Sequence, residues 1–232
     1  GLADFQAALK LEVPDPEAAV AMGDRLAENK LEKEAIAMYS KGVAAALADP
    51  RAGAKSLAGR ALRRRAAAHE AGGEGKAALG DLSAAVSAAP EDPEGWLARA
   101  ALYEKFNDPR RALADFEKAL ALKPDHAYAL LGRAQILAAS GKAEEAEKTL
   151  SEAVKADPKL AAAYDRRGRR LAARGAWDEA LKDFMHAVEL QPGDAEALLD
   201  LGIARLRKRE FWKAIAALDR RLAPNGPAAP AR

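Results

Sequence analysis

Apolar residues recur along this chain with the i, i+3, i+4, i+7 rhythm of amphipathic helices, and the rhythm is cut at regular intervals. Between Pro93 and about Phe106 it is carried by Trp96, Ala100 and Tyr103; between Arg110 and Leu122, by Ala112, Leu113, Phe116, Ala119 and Leu120. Asn107-Asp108-Pro109 separates the two stretches and Lys123-Pro124-Asp125 closes them, and both tripeptides are turn chemistry. The pattern predicts a hairpin of two helices. It then repeats. Pro90, Pro124, Pro158 and Pro192 stand 34 residues apart, as do Arg65, Arg99, Arg133 and Arg167, and Leu82, Phe116, Leu150 and Phe184. A fixed period of this size marks an array in which each unit buries its apolar face on its neighbours.

Counting outward from the best-formed unit gives the others. The second, about 59–92, carries Leu62, Ala66, His69, Gly73, Ala78, Leu82, Ala85 and Pro90. The fourth, about 127–160, carries Leu130, Ala134, Leu137, Gly141, Ala146, Leu150, Ala153 and Pro158. The fifth, about 161–194, has Tyr164, Gly168, Leu171, Gly175, Ala180, Phe184, Ala187 and Pro192. The sixth, about 195–222, keeps Leu198, Gly202, Ala214 and Leu218; the first, about 16–49, keeps Gly23, Leu26, Ala35 and Tyr39. The series Trp96, Ala100, Tyr103, Ala112, Phe116, Ala119, Pro124 and the 34-residue period resemble the tetratricopeptide repeat (TPR) family. The resemblance implies an all-α fold, a right-handed α-solenoid (superhelix) of antiparallel helical hairpins.

Six repeats are thus expected over 16–222, with two departures from the period. The step from Ala35 to Ala78 is 43 residues, which places an insertion near 47–55, around Asp49-Pro50-Arg51-Ala52-Gly53. It is expected to lengthen a helix and then loop, either as a tolerated insertion or as a recognition element. The other departure is the start. Ala3 to Leu11 matches Ala114 to Leu122 in pattern, and Phe5 lies 34 residues before Tyr39. Residues 1–13 therefore read as the second helix of a truncated repeat, in a chain cut from a longer protein, or as an N-terminal capping helix. Residues 223–232, rich in Pro and Ala, read as a disordered tail or linker.

Small residues at helix crossings let backbones approach, and an adjacent large side chain fills the space beside them. Asp15, Asp92 and Asp194 stand where N-caps belong, and Pro16 and Pro93 follow at the first helical position. Sixteen residues after Arg65, Arg99 and Arg167 come Asp81, Asp115 and Asp183; Arg133 meets Thr149 instead. The first and sixth repeats replace both members, with Met22 and Met38, and with Leu201 and Ala217. Charges that come and go together predict a salt bridge between the two helices of a hairpin, worth roughly 0–1 kcal/mol if exposed.

Composition narrows the function. Half of the 232 residues are hydrophobic but only 5% are aromatic, which favours thin, closely packed helices. Lys and Arg number 37 against 35 Asp and Glu, a balance unlike that of a dedicated nucleic-acid binder. Arg63-Arg64-Arg65 and Arg166-Arg167 are flanked by acids and lack an aromatic stacking series, so no nucleic acid is expected. There is no Cys, and His69, His126 and His186 are far apart, so no metal site and no cofactor are expected. His69 stands at the aromatic place of its repeat, where core packing is its expected job. No HExxH, phosphate loop or triad-like grouping appears, and no catalytic residue is assigned. No apolar stretch approaches ~18 residues and no signal peptide is visible, so no membrane insertion is expected, and the cytoplasm or the periplasm suits the chain. The abundance of Ala, Arg and Gly points to a GC-rich bacterial source.

In the TPR family, the first helix of each hairpin lines a concave face. The resemblance transfers that role to Arg60, Arg63 and Arg64 in the second repeat and to Leu97, beside Glu94 and Ala101, in the third. It does the same for Tyr128, Leu131 and Gln135 in the fourth and Asp165, Arg166 and Arg169 in the fifth, with Glu196, Leu199, Asp200 and Ile203 in the sixth. The surface reads as basic, apolar, basic, then mixed. Its expected occupant is a protein or peptide with acidic residues flanking a short apolar segment. A family subset that grips chaperone tails uses Lys and Asn at positions held here by Val20, Asp24 and Arg64, which argues against that ligand. The expected function is a protein–protein interaction scaffold binding along the concave face. The alternative is a regulatory or oligomerising segment of a larger enzyme whose catalytic domain lies elsewhere. The sequence carries no mark of oligomeric state.

Overall fold

A computed structural model describes residues 15–51 and 53–222. The readings of 1–13 and of 223–232 lie outside the described residues. Twelve helices are described: α1 (Pro16–Glu28), α2 (Glu32–Ala48), α3 (Ala54–Ala71), α4 (Gly75–Ala88), α5 (Pro93–Lys105), α6 (Pro109–Leu122), α7 (Ala127–Ala139), α8 (Ala143–Ala156), α9 (Ala161–Ala173), α10 (Trp177–Leu190), α11 (Ala195–Arg207) and α12 (Phe211–Leu222). Consecutive odd and even helices pair as hairpins. The chain divides into two compact units at Pro124 and Asp125. Three hairpins, α1 to α6, lie in the first and three, α7 to α12, in the second.

The helix starts follow from capping. Asp15 accepts hydrogen bonds from the backbone N–H groups of Glu17 and Ala18, Asp92 from that of Glu94, and Asp194 from those of Glu196 and Ala197. Asp108 caps α6 in the same way through the N–H of Arg111, with Pro109 following it. Between the two helices of every hairpin one residue turns left-handed: Lys30, Gly73, Asn107, Gly141, Gly175 and Arg209 all have positive φ. The insertion lengthens both helices beside it. α2 spans 17 residues and α3 spans 18, against 12 to 14 in the others. α3 starts at Ala54, ahead of the expected start near 59, because Gly53 at φ 94° ends the loop and the Ala-rich stretch after it is a strong helix former.

Each hairpin crosses at a small residue set against a large one sixteen residues later. A Cβ added to Gly23 would sit 2.5 Å from the Tyr39 ring, and one added to Gly168 would sit 2.8 Å from Phe184. Tyr39 is 2% exposed and Phe116, opposite Ala100, is also 2% exposed. One position earlier lies the Arg–Asp pair. Arg65 Nε donates to Asp81 at 2.8 Å, and Arg99 Nε to Asp115 and Arg167 Nε to Asp183 at 2.7 Å, each with a second guanidinium bond to the other carboxylate oxygen. Arg133 Nη2 donates to Thr149 Oγ1 at 3.1 Å. Asp81, Asp115 and Asp183 are buried, at 8%, 5% and 6% exposure. The exposed, weak pairing allowed for in the sequence is therefore replaced by a desolvated, two-pronged one, in which each member depends on the other. The Arg99 guanidinium also lies 5.2 Å from the Trp96 ring centre, and that of Arg167 lies 5.7 Å from Tyr164.

His69 departs from its expected packing role. Its Nδ1 lies 2.6 Å from Glu74 and its Nε2 lies 3.7 Å from Asp81, so it is a polar clamp across the turn.

The tightest crossing should be the least tolerant. Tyr39 cannot move off Gly23 freely, because its hydroxyl donates to Asp24 at 2.8 Å. Gly23→Ala is expected to destabilise the chain by about 1–3 kcal/mol through overpacking, outweighing the gain of up to ~1 kcal/mol in helix propensity. A urea melt of the variant checks this; a stabilised variant would show that the hairpin relaxes around the methyl.

Candidate functional site

The residues that the sequence assigns to ligand contact fall on first helices of five hairpins, and they divide between the two units. Arg60, Arg63, Arg64 and Leu97 lie in the first; Tyr128, Leu131, Gln135, Asp165, Arg166 and Arg169 lie in the second.

In the first unit α1 and α3 lie side by side. A shallow depression of about 430 Å³ runs between them, lined by Glu17, Val20, Ala21, Asp24, Arg60 and Arg64. Asp24 anchors one side. It accepts the Tyr39 hydroxyl and faces Arg64 Nε at 3.4 Å, so the core aromatic of the first hairpin holds the carboxylate that orients Arg64. Burial and that hydrogen bond push the Tyr39 hydroxyl well above the usual phenol range, and it stays a donor at every physiological pH. Arg64 is more than half exposed. Arg60 is exposed and, among the described residues, has no carboxylate within ion-pair distance. Arg63, in contrast, turns to the N-cap carboxylate of α5, with Nη2 at 3.0 Å from Asp92. Its charge serves the joint between hairpins. Leu97 is half-buried on α5.

In the second unit Tyr128 is 58% exposed and Leu131 is half-buried, both on α7. Gln135 Oε1 accepts a hydrogen bond from Arg166, which joins α7 to α9. Beside them a cavity of about 210 Å³ is lined by Ala134, Gln135, Ala138, Leu150, Arg166, Arg169 and Arg170. Arg169 is not the free cation that the sequence reading requires. Three carboxylates hold it: Asp165 at 3.1 Å, Glu196 at 3.0 Å and Asp200 at 2.6 Å. Burial works against its charge, but the hydrogen bonds to Glu196 and Asp200 and the nearby carboxylates outweigh it, and its pKa stands above the ordinary range.

Asp165 bears the cost of this cluster. Burial, with repulsion from Asp200 and Asp194, pushes its carboxyl up to about 6, although Arg169 and Arg166 pull the other way. Its Oδ1 is buried without a hydrogen-bond partner among the described residues. The expected pattern of basic, apolar, basic is thus revised. The second basic patch is internally neutralised, and the exposed guanidinium pair sits in the first unit at Arg60 and Arg64. Sequence reasoning counted the arginines but missed that Asp24 and Asp92 are their partners. The Asp165–Arg169 pair was legible as an i, i+4 helix spacing. The bonds from Arg169 to Glu196 and Asp200 span 27 and 31 residues, and only stacking of neighbouring hairpins reveals them.

Two models, each described as tetratricopeptide repeat, match residues 103–166 and 159–230. The chain belongs to the tetratricopeptide repeat family. No curated protein matches the sequence significantly. Among solved structures, a tetratricopeptide repeat protein from Parabacteroides merdae ATCC 43184 is 18% identical with a TM-score of 0.69, over 92% of this chain and 81% of that one. MamA from Desulfovibrio magneticus RS-1 is 22% identical with a TM-score of 0.60, over 72% and 94%. YrrB, described as a TPR protein with an unusual peptide-binding site, is 21% identical with a TM-score of 0.58, over 84% and 95%. These likenesses establish the fold as an α-solenoid of helical hairpins. Among the described residues, no helix is long and apolar enough to cross a membrane.

The Asp165 carboxyl gives a pH dependence with a definite sign. Its folded pKa of about 6 exceeds the ordinary 3.8, so the folded state binds the proton more tightly. This group's contribution favours folding fully below about pH 4 and is lost as pH rises through about 6, a change of roughly 2–3 kcal/mol. Asp165→Asn is therefore expected to be more stable than the native chain at pH 8 and equal to it at pH 4, read by urea denaturation at both values. A variant less stable at pH 8 would show that the ion pair with Arg169 dominates.

Proposed function

We propose that this chain is a protein-interaction scaffold that binds a peptide or an extended segment of a partner protein along the first helices of its hairpins. The observation that carries the reading is the depression between α1 and α3, where the exposed Arg60 and Arg64 stand beside the apolar Val20 and Ala21. Guanidinium groups at that spacing take a carboxylate by two-pronged hydrogen bonds, and the small apolar floor accepts an aliphatic side chain next to it. The ligand class is a segment with an acidic residue adjoining a short apolar stretch. Tyr128 and Leu131 offer the second unit's apolar anchor with a polar tip. Arg169, held by three carboxylates, and Arg166, bonded to Gln135, favour a ligand contacted through hydrogen bonds and apolar surface over an acidic one. The peptide-binding site in the name of YrrB supports a reading of this kind for a chain with the same fold. No bond is made or broken; affinity comes from complementarity on a preorganised array.

The test is selection of peptides from a random display library on the immobilised full chain, followed by fluorescence-polarisation titration of the enriched sequences. Enriched peptides are expected to pair Asp or Glu with aliphatic residues. Binding should fall about tenfold or more in Arg60→Glu with Arg64→Glu. Enrichment without acidic residues, or titrations that the double variant leaves unchanged, would remove the depression between α1 and α3 as the site.

A further inference from the structure

The turn between α11 and α12, in the second unit, carries chemistry that the other hairpins lack. In the 34-residue register, the place of Trp212 is held by Lys76, Arg110, Glu144 and Asp178, all charged and all exposed. Trp212 is 85% exposed. Phe211, Ile215 and Leu206 are exposed beside it in sequence, at 57%, 46% and 44%. On a helix, positions 211, 212 and 215 share one face, within an arc of about 100°.

Stacking accounts for part of this face. Phe211 and Ile215 match Trp177 and Leu181 of α10, which are packed against the core of the second unit. Trp212 is different. Its counterparts are solvated even where another hairpin follows, so a further repeat would not cover it. Residues 223–232 contain no apolar residue other than Ala and Pro.

The surroundings are cationic. Arg205, Arg207, Lys208, Arg209 and Lys213 flank the aromatics, with Glu210 as the one acid between them in sequence. Lys208 pairs with Asp178, Lys213 pairs with Glu210 and Arg207 lies over the Trp177 ring, yet positive charge remains in excess. Arg209 is exposed at the tip of the turn in the left-handed conformation, at φ 60°.

We propose that this turn docks on an anionic lipid bilayer, with Trp212 at the headgroup level and Arg209 and Lys213 against lipid phosphates. The indole suits that depth, where its apolar body and its N–H donor are both satisfied. Cations beside it are attracted to the negative surface. A second copy of the same face would set like charges against each other in a two-fold contact, which disfavours self-association through it. This is adsorption, needs no spanning helix, and uses a surface separate from the peptide-binding depression.

The test sediments the full chain with phosphatidylcholine vesicles, with and without phosphatidylglycerol, and reads Trp emission in vesicles bearing brominated acyl chains. Phosphatidylglycerol vesicles should carry the protein down and quench its emission, with neutral vesicles binding at least about tenfold less. Trp212→Ala should lose the quenching. Arg209→Glu with Lys213→Glu should weaken sedimentation about tenfold or more, while circular dichroism stays native for both variants. The proposal is overturned by absence of sedimentation, by equal binding to neutral vesicles, or by quenching that survives in Trp212→Ala. It is also overturned by a dimer in sedimentation equilibrium that Trp212→Ala dissolves, which would assign the face to a second copy.

Discussion

The structure depends on how the two helices of each hairpin cross. The crossing is specified by two adjacent residue pairs, both at a separation of sixteen. One sets a small residue against a large one, as with Gly23 and Tyr39 or Gly168 and Phe184. The other sets Arg against Asp, desolvated and bonded through two nitrogens. The first brings the backbones close; the second fixes the register, since a slide by one residue would bury an uncompensated charge. Where the ion pair is missing, an apolar pair replaces it, and Met38 in the first hairpin is fully buried. Where only the carboxylate is missing, Thr149 gives Arg133 an acceptor.

Fixing the crossing fixes what each first helix shows outward. With the Arg65 side turned to Asp81, Arg60 and Arg64 are left on the other side of α3, over α1. Tyr39 links the two layers, because the ring that fills the space beside Gly23 carries the hydroxyl that holds Asp24. The depression between α1 and α3 thus depends on Tyr39, a residue that also closes the hairpin. In the second unit, Asp165 keeps a raised pKa in a cluster that supplies Arg169 with three carboxylates. That cluster ties α9 to α11.

Much of this was legible in the sequence, and the boundary has a physical cause. The period, the hairpins, the caps at Asp15, Asp92 and Asp194, and the Arg–Asp pairs are set by residues within one repeat, so spacing alone reveals them. Bonds between repeats are not periodic. Arg63 to Asp92 and Arg169 to Asp200 could not be told from free arginines, and the surface was read as more basic than it is. The early start of α3 was hidden because an insertion breaks the count. The role of His69 was misread because a place in the register says which layer a side chain enters, not whether an imidazole will find carboxylates there.

The Arg–Asp pair specifies the crossing as a unit. A double-mutant cycle on Arg99 and Asp115, with Asp115→Ala, Arg99→Leu and both together, tests it by urea denaturation. Asp115→Ala alone should cost about 3 kcal/mol, and the double variant should recover at least half of that loss, because no buried charge is left alone. Losses that simply add would contradict it and would reduce the pair to two independent side chains.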